Sequence, residues 1–196
     1  MDWTDDGIVL SARKHGETSV IATLLTRAHG RHLGFVRGGA GKKVRGIYQP
    51  GNRVTGRWRA RLAEQLGTFS CEMTSAFAAT VLKDRLRLAC LSAGCAVSEA
   101  SLPERQPYPA VFDALLALLG VLEGEGGNEH WPSAYVKWEL GLLSELGFGL
   151  DLSACAATGR NDQLTYVSPK SGRAVSLAAG EPYKDALLPL PGFLLR

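Results

Sequence analysis

A run of 46 residues, from Thr18 to Ala63, contains ten lysines and arginines and no aspartate or glutamate. Like charges at this density repel one another and oppose compaction, so the run constrains the fold strongly. The whole chain has a net charge of only +3, so the cations are segregated. The run predicts a surface for a polyanion, whereas a solvated face without a partner better fits three or four cations. The ten cations are Arg27, Arg31, Arg37, Lys42, Lys43, Arg45, Arg53, Arg57, Arg59 and Arg61.

Charge is divided unevenly along the chain. Residues 1–74 carry twelve Lys and Arg against six Asp and Glu, whereas residues 75–196 carry ten against thirteen. This asymmetry indicates a basic module followed by a mildly acidic one. The 196 residues are 45% hydrophobic and 21% charged, which is typical of a globular chain with a core of its own.

Short apolar segments separated by turns fill the first 75 residues and predict a small closed or partly open β-barrel. In the fourth segment the arginines share one parity, and Val54, Trp58 and Leu62 share the other. Because side chains alternate along a strand, one face is expected to be cationic and the other apolar. The predicted strands are residues 7–13, 20–26, 31–37, 53–62 and 67–73.

Aromatic side chains interleaved with basic ones are typical of surfaces that bind nucleic acids by stacking on bases. Trp58 has the apolar parity of its strand and is expected in the barrel core. Phe35 shares its parity with both Arg37 and Leu33, so its side of the barrel is left open. Tyr48, in the glycine- and lysine-rich connection before the fourth strand, is therefore the preferred stacking residue.

Past residue 75 the apolar period becomes helical. The first predicted helix, 78–101, places Leu86, Cys90 and Val97 on its buried stripe. Two further helices are expected at 108–123 and 132–146, followed by a β-hairpin with strands at 164–167 and 174–177.

Motifs that carry catalysis or bind metals and phosphates are missing from the sequence. Gly41-Lys42 lacks the glycine and hydroxyl spacing of a phosphate-binding loop, and no His-Glu-x-x-His or C-x-x-C occurs. The four cysteines are expected to be buried thiols. We therefore expect a protein that is not an enzyme and needs no cofactor.

The start of the chain has acids where a secretory signal needs cations, and no apolar run is long enough to span a membrane. The sequence therefore predicts a cytoplasmic protein without a membrane partner.

Several segments, in this order and spacing, resemble the RecO family of recombination mediators. No single motif is decisive, and the resemblance covers nearly the whole chain. The matching segments are Gly7–Leu10, Gly16–Thr26, His29-Gly30, Arg37-Gly38, Gln49–Gly51, Trp138–Leu143, Cys155 with Thr158-Gly159, and Tyr166–Gly172.

The resemblance implies an α+β protein in four parts. These are an N-terminal OB-fold barrel at 1–75, a helical domain at 76–150, a zinc-ribbon-like hairpin insert at 151–183 and a C-terminal segment at 184–196 that packs on the helical domain. Relatives continue into another helix after the point where this chain ends, so that segment is expected to be truncated or unpartnered.

The resemblance also implies binding of single- and double-stranded DNA and annealing of complementary strands. With RecR, such a protein helps RecA load onto DNA covered by single-strand-binding protein, whose C-terminal tail it contacts. A nucleoid-associated location follows. The DNA-binding residues would be Arg31, Arg37, Lys42, Lys43, Arg45, Tyr48, Arg57, Arg59 and Arg61. An RNA-binding OB module in translation or RNA processing is the alternative.

One departure from the family concerns zinc, which its zinc-binding members hold with two C-x-x-C pairs. The corresponding positions here are Cys155, Thr158, Ser176 and Ala179. With one thiolate left of four, no bound zinc is expected, and packing of the hairpin must stabilise the insert.

Overall fold

The computed structural model describes residues 1–62, 64–124 and 131–195. Ala63 and Arg196, which end the basic run and the predicted C-terminal segment, lie outside the described residues. The chain forms two compact units, Met1–Tyr135 and Val136–Arg196. The predicted mixed α+β class is confirmed.

Five strands form a closed barrel in the first unit, in the order β1-β2-β3-β5-β4. The first strand is long enough to pair with β4 through its first half and with β2 through its second half, in both cases antiparallel. A parallel contact between β3 and β5, at Phe35 and Thr68, closes the barrel. The strands are β1 Asp2–His15, β2 Ser19–Thr26, β3 Gly30–Val36, β4 Arg53–Arg59 and β5 Thr68–Ser75.

Burial alternates along β4 as the parity of its residues predicts. Val54, Gly56 and Trp58 are buried, and the outward positions carry the arginines. The Trp58 ring is 1% exposed, and its Nε1 donates hydrogen bonds of 3.1 Å to the carbonyls of Leu33 and Leu66. This side chain therefore ties β4 to β3 and to the connection before β5.

Two strand ends differ from the prediction. The first strand begins at Asp2 rather than residue 7, because the acidic N-terminal residues pair with β4. The fourth strand ends at Arg59, so Arg61 and Leu62 lie in the following turn and Leu62 is 55% exposed. The predicted inward position of Leu62 is therefore wrong.

Helices α1 Phe77–Thr80, α2 Arg85–Ser101 and α3 Pro109–Glu123 follow the barrel. The predicted first helix is broken before α2, where the Asp84 carboxylate accepts hydrogen bonds from the backbone N–H groups of Leu86 and Arg87 and caps the new helix.

The buried side of α2 agrees with the prediction only in part. Cys90 is buried as predicted, but Leu86 is 64% exposed and Val97 is 36% exposed, whereas Leu91, Gly94 and Cys95 are buried. Part of the buried side consists of small residues, so apolar periodicity alone indicated a face rotated from the observed one.

A carboxylate on α2 is shared by the barrel. The Glu99 Oε1 accepts hydrogen bonds from Ser11 Oγ at 2.9 Å, Thr23 Oγ1 at 3.2 Å and Arg13 Nη2 at 3.1 Å. The helix is thereby fixed over the outer face of β1 and β2.

The division between the two units falls within α4 Trp131–Glu145. In the second unit the predicted hairpin forms from β6 Leu164–Val167 and β7 Ala174–Ser176. A third strand, β8 Leu188–Pro189, pairs with β6, which the sequence did not indicate. A small core contains Val167, Ala174 and Leu190.

The remaining elements of this unit are short: α5 Leu177–Gly180 and 3₁₀ turns at Glu181–Ala186 and Gly192–Leu195. Among the described residues, no helix has both the length and the apolar character needed to cross a lipid bilayer.

Candidate nucleic-acid interface

The arginines of β4 lie beside the acids of β1 because the two strands pair. Arg57 forms a two-bond ion pair with Asp2, with Nη2 2.6 Å from Oδ2 and Nε 3.0 Å from Oδ1. The Arg59 Nε donates to the same carboxylate at 3.1 Å. Hydrogen bonds from Arg57, and then from Arg59, lower the pKa of Asp2 to about 2. One carboxylate thus partly neutralises two arginines.

Three other cations of the run are also paired with acids outside it. Arg53 forms a two-bond pair with Asp6, with Nη2 2.6 Å from Oδ2. Arg27 pairs with Asp113 on α3 at 2.8 Å, and the partner of Arg31 lies in the connection between α2 and α3.

Arg31 is 17% exposed and lies 3.7 Å from Glu104, and its Nε donates to the Leu102 carbonyl at 2.7 Å. Five of the ten cations therefore have carboxylate partners. The prediction from a run of ten cations without an acid is corrected to this extent, since acids from outside the run pair with half of them. The partly buried position of Arg31 does not support its assignment to DNA.

The other five cations are exposed and have no carboxylate partner within the described part of the chain. Four of them lie in the connection between β3 and β4, residues 37–52, and the fifth lies in the turn after β4. These five, called the unpaired cations below, are Arg37, Lys42, Lys43, Arg45 and Arg61.

Backbone hydrogen bonds hold this connection against the barrel. Ala40 N donates to the Thr18 carbonyl at 2.9 Å, which joins the connection to the turn between β1 and β2. Its later part is held by Asn52, whose Nδ2 donates to the Gly46 carbonyl at 2.8 Å. Four unpaired cations are thereby presented at one end of β3.

Tyr48 does not lie on this surface. The side chain is 4% exposed and packs in the barrel core with Val9 and Val54. Burial raises the pKa of its hydroxyl, with a further contribution from Cys71. The predicted stacking role is therefore wrong, because the connection folds back over the barrel and buries the ring.

Phe35 occupies the position expected of a stacking residue. It is half-buried on the outer face of β3, while its neighbours Gly34 and Val36 point inward. Its ring contacts His15 edge to face, with centroids 5.9 Å apart, and Arg37 follows two residues later. The sequence left this side open because Leu33 shares the same parity.

A second aromatic group, which sequence reasoning missed, lines a cleft of about 450 Å³ near the start of β3. Trp3 stacks on His29 with centroids 4.0 Å apart and an angle of 5° between the planes. Trp58 stacks behind Trp3 at 5.6 Å, and His32 meets both rings edge to face. Burial lowers the pKa of His32. We refer to this site as the end cleft.

The positions that correspond to the family's zinc ligands do not fit a zinc ion. The Ser176 N–H donates to the Cys155 sulfur at 3.3 Å, and Ser176 and Thr158 lower the pKa of that thiol to about 6. Hydroxyl groups thus surround the single thiolate where further sulfur ligands would be needed. No cluster of three or more His, Cys, Asp or Glu suited to a metal occurs among the described residues.

Comparison with known proteins divides the chain between the barrel and the helices that follow it. Residues 1–77 match a family described as "Recombination protein O N terminal", and residues 82–196 match "Recombination protein O C terminal". The two matches together define a two-part recombination protein.

Full-length relatives agree with this class. The protein from Rhodospirillum centenum named "DNA repair protein RecO" is 60% identical over all of this chain and 77% of its own length. Proteins of the same name from Rhodospirillum rubrum and Phenylobacterium zucineum are each 53% identical, over 78% and 79% of their lengths. The chain belongs to the RecO family.

Proposed function

We propose that this chain is a DNA-binding recombination mediator that acts in DNA repair. It binds single- and double-stranded DNA, anneals complementary strands and, with RecR, helps RecA load onto DNA covered by single-strand-binding protein. The observation that carries the proposal is the group of four unpaired cations on the β3–β4 connection beside Phe35. Membership in the RecO family supports the repair context.

The barrel is best classified as an OB-fold. Its closed order β1-β2-β3-β5-β4 and its long first strand support this class. OB-folds bind oligonucleotides across strands 2 and 3 and along the loops after strands 1 and 4. Here four of the unpaired cations lie in the connection next to the first of those loops, and the fifth, Arg61, lies in the second.

The unpaired cations would bind the phosphate backbone, which gives affinity without sequence preference. Neutralisation of about five single-strand phosphates predicts that log K falls with log[salt] at a slope of about −3.5. Phe35 would stack on an unpaired base. Masking of phosphates on two strands at once reduces their mutual repulsion and promotes annealing.

The arginines of β4 would contribute less to DNA affinity than the unpaired cations. Arg57 and Arg59 share one carboxylate, so this trio has a net positive charge. If a DNA phosphate takes the place of the Asp2 carboxylate, both Arg57 and Arg59 can bind DNA. RecR and the tail of single-strand-binding protein are proposed partners, and a cytoplasmic, nucleoid-associated, non-enzymatic role is part of the same proposal.

Charge reversal of the connection tests the proposal. The variant Arg37→Glu, Lys42→Glu, Lys43→Glu is expected to lose single-strand binding and strand annealing at moderate salt. The control variant Arg160→Glu, Lys170→Glu, Lys184→Glu reverses three exposed cations of the second unit and is expected to retain both. Annealing that survives in the first variant, with its circular dichroism unchanged, would refute the assignment.

Competition between equal-length DNA and RNA tests the choice of nucleic acid. Unlabelled RNA and unlabelled DNA of equal length are compared for the concentration that displaces a labelled DNA strand. If RNA does so at less than a tenth of the concentration that DNA needs, an RNA-binding module would be favoured instead.

A further inference from the structure

We propose that the end cleft is a binding site for one unstacked base of a single nucleic-acid strand. The inference rests on the proposed function and adds a second contact point, separate from the β3–β4 connection. Its volume of about 450 Å³ lies within the ~300–1,000 Å³ typical of small-molecule sites.

The walls of the cleft suit a flat, heteroaromatic ligand. The rings of Trp3, His29, His32 and Trp58 line it. Trp58 and His32 are only 1% and 6% exposed, so a base that enters meets mainly the exposed parts of His29 and Trp3. Stacking on an aromatic ring tolerates any base. Because the Trp3 and His29 rings are already nearly parallel at 4.0 Å, a third ring can continue the same stack.

The His29 ring is held in place for such a contact. Its Nδ1 lies 2.9 Å from Asp5 Oδ2, and the Asp5 side chain is only 11% exposed. The His29 side chain remains 35% exposed. A ring fixed by a nearly buried carboxylate, yet open to solvent, loses little conformational freedom when a base stacks on it.

Positive charges surround the cleft and favour a ligand with a phosphate backbone. Arg105 lines it, and its Nη2 is held by the Gln65 carbonyl at 3.0 Å. The Met1 ammonium, also at the cleft, donates to the Ala60 carbonyl at 2.7 Å, and Arg59 and Arg61 flank Ala60 in the chain. Among the described residues that line the cleft, Asp2 alone has a carboxylate, and this group is already bonded to arginines.

Described residues between β4 and β5 contact both the end cleft and Phe35. The Ala60 carbonyl binds the Met1 ammonium beside the cleft, Arg61 follows it, and the Gly67 carbonyl accepts a hydrogen bond of 3.0 Å from Phe35 N. His32, which lines the cleft, and Phe35 are three residues apart on β3. This spacing is roughly 10 Å, so the two contact points hold different nucleotides.

Two strands that differ only in their bases test this assignment. Wild-type protein is titrated with oligothymidylate and with an abasic phosphate strand of equal length. The variants Trp3→Leu and His29→Ala are expected to bind oligothymidylate at least about fivefold more weakly, because each removes part of one base-stacking contact. Both are expected to bind the abasic strand as the wild type does.

The control variant Tyr183→Leu removes an exposed ring from the second unit and is expected to change neither affinity. Thermal unfolding identifies a variant that fails to fold. If Trp3→Leu fails to fold, His29→Ala still tests the proposal. Equal losses for both strands, or no loss for either, would overturn the proposal.

The outcome also separates this inference from the proposed function. If the wild-type protein binds both strands with equal affinity, the base site is refuted and the proposed phosphate binding stands. If it binds neither strand, the base site and the proposed DNA binding are both refuted. Quenching of tryptophan fluorescence by N-acetylphenylalanine but not by thymidine monophosphate would assign the cleft to a peptide and overturn the proposal.

Discussion

Asp2 and Arg57 lie 55 residues apart in the chain and form a two-bond ion pair across β1 and β4. The same carboxylate also accepts a hydrogen bond from Arg59. An acidic strand thus stabilises a neighbouring cationic strand in the absence of nucleic acid. The arrangement resembles a phosphate contact, since a planar guanidinium binds carboxylates and phosphates in the same two-bond geometry.

Removal of the Asp2 charge is expected to strengthen single-strand binding. In Asp2→Asn, Arg57 and Arg59 lose their anion and become available to phosphates. One or two additional phosphate contacts would steepen the slope of log K against log[salt] by about 0.7 to 1.4. Fluorescence anisotropy over a salt series measures it. The control Glu181→Gln removes an exposed acid of the second unit, and equal slopes in both variants would contradict the prediction.

Phe35→Ala is expected to weaken binding of single-stranded DNA by about 1–3 kcal/mol, the range for one base stacked on an aromatic side chain. Duplex binding should change little, because paired bases are already stacked. Leu33→Ala alters the same face of β3 without removing a ring and serves as the control. A similar loss for single and double strands would indicate that Phe35 acts only through folding.

Glu99→Ala is expected to lower the free energy of unfolding by about 1–3 kcal/mol, because three donors lose a largely buried acceptor. Chemical denaturation measures this loss, provided that the unfolding free energy depends equally steeply on denaturant concentration in wild type and variant. Glu123→Ala, which removes an exposed carboxylate at the end of α3, is expected to be close to neutral. A Glu99 variant as stable as this control would show that the contacts to Ser11 and Thr23 contribute nothing.

Three of the four thiols are expected to ionise in very different pH ranges. Hydrogen bonds from Ser176 and Thr158 lower the pKa of Cys155 to about 6, whereas burial raises those of Cys71 to about 11 and Cys95 to about 12. The ultraviolet absorbance of thiolate is measured as a function of pH in the wild type and in Cys155→Ser. The difference between the two proteins should therefore show a step near pH 6. A difference spectrum without a step below pH 8 would contradict this prediction.

The same shift has a consequence for stability. The Cys155 pKa is lower in the folded chain than its ordinary value of 9.0. Its contribution is therefore fully present above about pH 9 and is lost as the pH falls through about 6. The stability difference between wild type and Cys155→Ser should shrink over that window.

Local patterns predicted the elements well. Alternation placed Trp58 inside and the β4 arginines outside because a strand has only two faces. The helices near 108–123 and 132–146, and the hairpin at 164–176, formed where their periodicity and turn residues indicate. The buried face of α2 was predicted correctly only at Cys90, because the face also contains Gly94 and Ser98, whose burial hydrophobicity does not reveal.

The sequence by itself determined that a dense group of cations lies on short strands and their connections, since charge and alternation are local properties of the chain. Tertiary structure decided which cations stay unpaired, because Asp2, Asp6 and Asp113 reach arginines only through strand pairing and helix packing. It also buried Tyr48 and assembled the end cleft around Trp3. Barrel closure sets such distances between residues far apart in the sequence, and no local pattern contains them.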